Sequence, residues 1–456
     1  MFIPSAKSKI SLITLLVIAI ILFIWSFKSR VFIEEKYFDE KLASAQLMQE
    51  AEQVIREFRL SQNIFIDENN DPNKTALIGE KETEITTDRG SLEAKLTTLN
   101  PNFAAVIVDY FKKAKLKKGD LVDVSLTASM PALNIAVMSA AKVLDLDLVI
   151  ISSVGASMFG STDPDFTWLD IETLLYDKGI FPYKSIAASL GGGRDLGRGL
   201  SKVGRDLIIK AIKRNNIQLV RESSLEKNVE EKMSLFSNYS NNEIKLYVNI
   251  GGGLSSLGDA INGKLLSPGL HRYVSTKNIP IKGTMFLFAE KGVPIIHLLD
   301  IPKIAEIYDL PIAPVPLPEP GIGKVFVEEH YSTTVAAISL AIMVILILIV
   351  IFFDHKQQKF TEKEINISNK DYSMKNKFIF ILIFAVLMFD AVLAKSNISE
   401  IKYVKTTNEF SIFNSKASKI IKYFLILPEE EIKIKTSNID SLRIYSRLIL
   451  EEDYKL

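Results

Sequence analysis

Small and polar residues gather at four places in this 456-residue chain, each close behind a short apolar run, with serine or threonine at three of them and glycine at three. The segments are TASMPALN (127–134), SSVGASMFGSTD (152–163), GGGRDLGRG (191–199) and GGGLSSLG (251–258). Glycine lets the backbone take positive φ and bring its N–H groups close to a ligand, and serine or threonine adds a rotatable donor and acceptor. At strand ends such a set suits an anion, or a chain of amides and carboxylates. The residues expected to bind are Thr127, Ser129, Asn134, Ser153, Gly155, Gly191, Gly192, Gly193, Arg194, Asp195, Arg198, Gly251, Gly252, Gly253 and Ser255. A single glycine cluster is explained well enough by a tight strand-to-helix turn. Four such loops on one edge favour a ligand.

Covalent chemistry has fewer candidates. GASMFG (155–160) is one residue too long for the nucleophile elbow G-x-S-x-G, yet Ser157, or Ser129, remains a candidate nucleophile with His297 or His271 as its base. Nothing in the spacing pairs either histidine with a serine. Asp163, Asp165, Asp170 and Glu172 can supply an acid, a base or metal ligands, and Asp163 and Asp165 are the acidic catalytic candidates. The stronger explanation of this run is structural: Thr167 and Asp170 have capping-box spacing, and Pro164 between aspartates makes a turn. Arg194 and Arg198 can grip carboxylates, and Asp195 can pair with one of them. GDAINGKL (258–265) departs from the phosphate-loop pattern at Leu265, where a hydroxyl would hold magnesium. No metal site and no cofactor is expected. The chain has no cysteine, so disulfides and thiol nucleophiles are excluded, and a net charge of +1 makes no case for nucleic acid.

Alternating strands and helices must position these loops. LVDVSLT, DLVIISS, SIAASL, IQLV and KLYVNI read as strands. Between them PALNIAVMSAAKVLDL, TWLDIETLLYDKG, LSKVGRDLIIKAIKRNN and SLEKNVEEKMSLF read as helices, preceded by a helix from Pro101 that ends near Gly119. The pattern predicts an α/β fold: a mostly parallel open sheet with helices on both faces, the four loops lying beyond the carboxyl ends of the strands.

Two uncharged stretches, Ile10–Phe27 and Tyr331–Phe353, are long enough to cross a membrane. The expected organisation is an N-terminal anchor (1–30), a helical stalk (31–62), the α/β domain (63–310), a proline-rich linker (311–330), a transmembrane helix (331–353) and a basic loop (354–377). Segment 378–394 reads as a third transmembrane helix or, with its basic start and small-residue end, as an internal signal-peptide-like helix. Residues 395–456 form an extension that suggests a fused separate protein. Lysines at 356, 359, 363, 370, 375 and 377 place loop 354–377 in the cytoplasm, and so the main domain outside the cell (inner) membrane.

The succession DVSLTASMPALNIAVMSAAKVLDLDLVIISSVGASMFGSTDPDFTWLDIETLL, GGGRDLGRGLSKVGRDLI and NIGGGLSSLG resembles the poly-gamma-glutamate system protein family over about residues 8–354. The resemblance implies a membrane protein of bacterial poly-gamma-glutamate synthesis and export, with the polymer or its precursor and the synthetase and membrane subunits as partners. The expected role is an accessory one, binding or guiding the anionic polymer. The alternatives are a hydrolase or transferase acting on gamma-glutamyl amide bonds, and a structural subunit of the synthesis complex. The resemblance carries no catalytic residues and does not extend to the C-terminal extension.

Overall fold

The computed structural model describes residues 9–361 apart from 65 and 241–243, together with residues 402–403 and 434–435. Segment 378–394 and nearly all of the extension lie outside the described residues. Two units emerge, one of residues 34–327 and one combining the segments on either side of it.

In chain order the elements are α1 (Lys9–Lys28), β1 (Arg30–Glu34), α2 (Phe38–Ser61), β2 (Thr86–Asp88), α3 (Leu92–Thr98), α4 (Phe103–Lys113), β3 (Leu121–Thr127), α5 (Pro131–Val143), β4 (Asp147–Ser153), β5 (Ala156–Ser157), α6 (Trp168–Asp177) and β6 (Ser185–Ser189). They continue with α7 (Lys202–Arg214), β7 (Gln218–Val220), α8 (Leu225–Ser240), β8 (Leu246–Ile250), α9 (Leu254–Leu257), β9 (Gly269–His271), α10 (Thr284–Glu290), β10 (Ile295–Leu298), α11 (Ile301–Tyr308), β11 (Val327–Tyr331) and α12 (Thr333–Thr361).

Seven strands form the main sheet in the order β7-β6-β4-β3-β8-β10-β9, parallel except for β9, which runs antiparallel to β10. The chain steps outward from β3 through β4 and β6 to β7, then returns to lay β8 on the other side of β3. Right-handed crossovers keep the connecting helices on one face while the order runs one way and move them to the other face when it reverses. The two cores follow this rule. Val122, Val124, Leu126, Ile150 and Val248 pack with α2, α4, α5, α6 and part of α7, whereas Val149, Ile151, Ala187, Tyr247 and Ile295 pack with Phe236 of α8 and Phe286 and Phe288 of α10.

Two expectations need correction here. The helix after Pro101 stops at Lys113, with Lys115 in the left-handed region at φ 66°, well before Gly119. The segment expected as a stalk, 31–62, contains α2, whose Ala45, Met48, Ala51 and Ile55 are fully buried in the first core. Burying side chains of this size contributes about 1.5–3 kcal/mol each for Met and Ile, so α2 is held as part of the α/β unit. The proline-rich segment is bound to the same unit: the Ala313 amide donates to Thr97 Oγ1 (2.9 Å), the Gly321 amide donates to Asn102 Oδ1 (3.1 Å), and Phe326 is buried.

The other unit holds α1 and α12. Two helical stretches, Lys9–Lys28 and Thr333–Phe353, are long and apolar enough to cross a membrane. At about 1.5 Å per residue each matches a hydrocarbon core of about 30 Å. Next to them Arg30 and Glu329 form an exposed ion pair (3.0 Å).

Candidate functional site

The reversal of strand order lies between β3 and β8, and in open parallel sheets ligands sit beyond the carboxyl ends of the strands at such a reversal. The residues there are Thr127 and the triplet Gly251–Gly253. Gly251 has φ 85°, and a side chain on it would collide with Thr127 Oγ1. Only glycine permits this approach. Thr127 Oγ1, Asn134 Oδ1 and Asn249 Oδ1 are buried at the same place with no hydrogen-bond partner. The other polar atoms of the two amides are engaged: Asn134 Nδ2 donates to Thr127 O (3.0 Å), and Asn249 Nδ2 donates to Gly251 O (2.9 Å).

The first glycine triplet is on the same rim, at the end of β6 two strands from β3. Gly191 and Gly192 have φ 72° and 63°, followed by Arg194 and Asp195 at 56° and 60°. This turn is largely self-sufficient. The amides of Gly193, Asp195, Leu196, Gly197 and Arg198 donate to carbonyls within the turn, so the row of free amides that the glycines suggest is only partly available. Arg194, Arg198 and Gly252 are exposed, and Gly192, Gly193 and Gly253 are half-buried. Gly155 packs against Leu190 O and Thr87, where a side chain would intrude.

Asp195 does not pair with an arginine. It turns inward to Lys232 of α8, whose Nζ donates to Asp195 Oδ2 (2.7 Å), Ser189 Oγ (2.8 Å) and Ser255 Oγ (2.6 Å). Ser153 Oγ and Ser189 Oγ donate to Asp195 Oδ1 (3.1 and 2.8 Å). The hydrogen bonds of Ser153, Asp195 and Ser255 are therefore spent within the protein, joining both glycine turns. Lys232 is not among the residues expected from the sequence, in which this segment is read only as a helix. Its position in the series Leu225, Val229, Lys232, Phe236 puts it on the buried stripe, and that spacing is the available signal.

The loops after β3 and β4 meet at a second cluster. The Ser157 amide donates to Ser129 Oγ (2.9 Å), and Lys95 Nζ of α3 contacts Ser157 Oγ (3.0 Å). Lys95 is 2% exposed, and burial pushes its ammonium down to about 8. Ser157 and Ser129 are half-buried. Gly90 lies over the pair: a Cβ there would stand 2.7 Å from Lys95 Nζ and 2.9 Å from Ser157 Oγ. The partner of Ser157 is thus a lysine rather than a histidine. His297 donates through Nε2 to Gly263 O (3.0 Å) with Nδ1 facing Asn249 Nδ2 (3.0 Å), and His271 meets Ser267 O (2.7 Å).

The acidic run is structural in this geometry. Asp163 pairs with Arg59 (3.2 Å) and accepts the Asp165 amide (2.9 Å). Asp170 accepts from the amide and hydroxyl of Thr167 (2.7 Å each) and pairs with Arg214, and these donors hold its carboxyl below the usual range despite burial. Glu172 is buried under Ser185, whose amide and hydroxyl donate to it (2.6 and 2.8 Å), and burial raises it to about 7. Among the described residues no group of three His, Asp or Glu is placed to hold a metal ion.

No family model, no curated protein and no solved structure matches the chain.

Proposed function

We propose that the protein is a membrane-anchored accessory component of a poly-gamma-glutamate synthesis or export system, receiving the anionic polymer on the rim beyond the carboxyl ends of β3, β4, β6 and β8. In this reading the α/β unit faces outward from the cell membrane, beside the synthetase and membrane subunits. The observation that carries it is the convergence of all four loops, each rich in hydroxyls, glycine or both, on one rim that includes a reversal of strand order. A gamma-linked glutamate chain offers an amide and a carboxylate per unit. Arg194 and Arg198 are exposed for the carboxylates, and Thr127 Oγ1, Asn134 Oδ1 and Asn249 Oδ1 are polar atoms without partners close by.

The test is binding of poly-gamma-glutamate to the full chain in lipid nanodiscs. The reading expects affinity to fall as salt rises through about 0.1 M, where screening is effective over about 10 Å. It expects Arg194→Ala with Arg198→Ala to weaken binding about tenfold or more. Lys117→Ala with Lys118→Ala, at the opposite end of the strands, leaves it unchanged. Equal effects of the two pairs contradict a rim site. The enzyme alternative is favoured by one observation, the contact between Lys95 and Ser157.

A further inference from the structure

We infer that Ser157 and Lys95 form a nucleophile and general-base pair for acyl transfer, acting on a compound with an amide or ester carbonyl. Three features of geometry support this. Lys95 Nζ is 3.0 Å from Ser157 Oγ, within reach for direct proton transfer. Among the described residues Lys95 forms no ion pair and Nζ has no other hydrogen-bond partner, so no anion holds its charge. The Ser157 amide is fixed to Ser129 Oγ, Ser157 itself is only half-buried, and Gly90 packs so closely against the pair that a Cβ there would collide with both groups. A lysine confined to a serine, buried and without a carboxylate, lacks the usual stabilising partner of a buried charge. Burial also brings its pKa to about 8, which leaves about a tenth of the side chain neutral at pH 7.

The reaction balances with water as co-substrate. The neutral Lys95 Nζ takes the Ser157 hydroxyl proton as Oγ bonds to the carbonyl carbon. The intermediate collapses by breaking the bond to the leaving amine or alcohol, which receives the proton from the Lys95 ammonium. Water then adds to the Ser157 ester, giving a proton to Lys95. Cleavage of the Oγ–carbon bond releases the carboxylic acid and returns that proton to Oγ. A second amine in place of water makes the same pair a transferase. The inference does not depend on the polymer reading, because it concerns the reactivity of one serine.

The experiment is labelling of the full chain in nanodiscs with a fluorophosphonate, which phosphonylates activated serines, read by mass spectrometry. The expected result is a single adduct on Ser157, with a rate that rises with pH about a midpoint near 8. Ser157→Ala abolishes the adduct, and Lys95→Met slows it by about 10²–10⁴. Lys95→Arg does not rescue the rate, because guanidinium stays protonated at ordinary pH. Lys95→Met replaces a buried cation with an apolar chain of similar length, so its fold is checked by thermal unfolding and is expected to persist. No adduct on the wild-type serine, or an undiminished rate in folded Lys95→Met, overturns the proposal.

Discussion

Lys232 Nζ lies 2.7 Å from Asp195 Oδ2, and the two side chains are 2% and 1% exposed. Asp195 belongs to the first glycine turn and Ser255, also held by Lys232, follows the second. One ammonium thereby fixes the two turns of the rim to each other. Removing either charge strands the other: Lys232→Met or Asp195→Asn is expected to cost about 3–5 kcal/mol. The double variant costs less than the sum, with a coupling of about 1–3 kcal/mol. Denaturant unfolding of the four proteins measures it.

The second triplet offers a comparison within three residues. Gly251 combines φ 85° with a collision against Thr127 Oγ1, while the nearest atom to a Cβ on Gly252 is Leu299 Cδ1 at 3.8 Å. Gly251→Ala is expected to lose about 2–4 kcal/mol, through left-handed strain and displacement of Thr127. Gly252→Ala loses less than about 1 kcal/mol. Thermal unfolding of the pair decides whether the contact between the β3 and β8 ends is as tight as described.

Asp123, in mid-strand on β3, is fully buried, with neither carboxylate oxygen hydrogen-bonded, and burial raises it to about 8 although Lys291 opposes the shift. The folded protein then keeps a proton that the unfolded chain has lost between about pH 4 and 8. Its stability contribution is full below the unfolded pKa and fades as pH rises through the folded one. Asp123→Asn is expected to flatten this loss and to be the more stable protein at pH 9. Unfolding measured across that range checks the sign.

Lys95 works in the opposite direction. Its folded pKa, about 8, is below the ordinary lysine value of 10.5, so the cost of burying the charge is present below pH 8 and relieved as pH climbs from 8 towards 10.5. Lys95→Met removes that rise in stability. A pH series on wild type and variant separates this contribution from that of Asp123.

Strands such as Leu121–Thr127 and Asp147–Ser153 are legible because β-branched and apolar residues run between turn formers, and a parallel sheet then puts their loops on one rim. The polar partners were not legible. Ser157 finds Lys95 from 62 positions away, and Asp195 finds Lys232 from 37, so local spacing suggests neither pairing. Lys232 falls on the buried stripe of α8 with Leu225, Val229 and Phe236, a weak signal that a charged residue on an apolar face has an engagement inside, whereas Lys95 lies among Ala94, Thr97 and Thr98 and gives no such signal. Helix α2 was misread as a stalk because its charged face dominates composition, although Ala45, Met48, Ala51 and Ile55 recur at helical spacing. The free amides expected of GGGRDLG were reduced because consecutive left-handed residues curl the turn onto its own carbonyls.

Hydrogen exchange of the full chain in nanodiscs, with and without poly-gamma-glutamate, tests the rim most directly. The account predicts slowed exchange confined to peptides covering 127–134, 153–160, 191–199 and 251–256. Protection only elsewhere, or none at polymer concentrations that saturate binding, would contradict it.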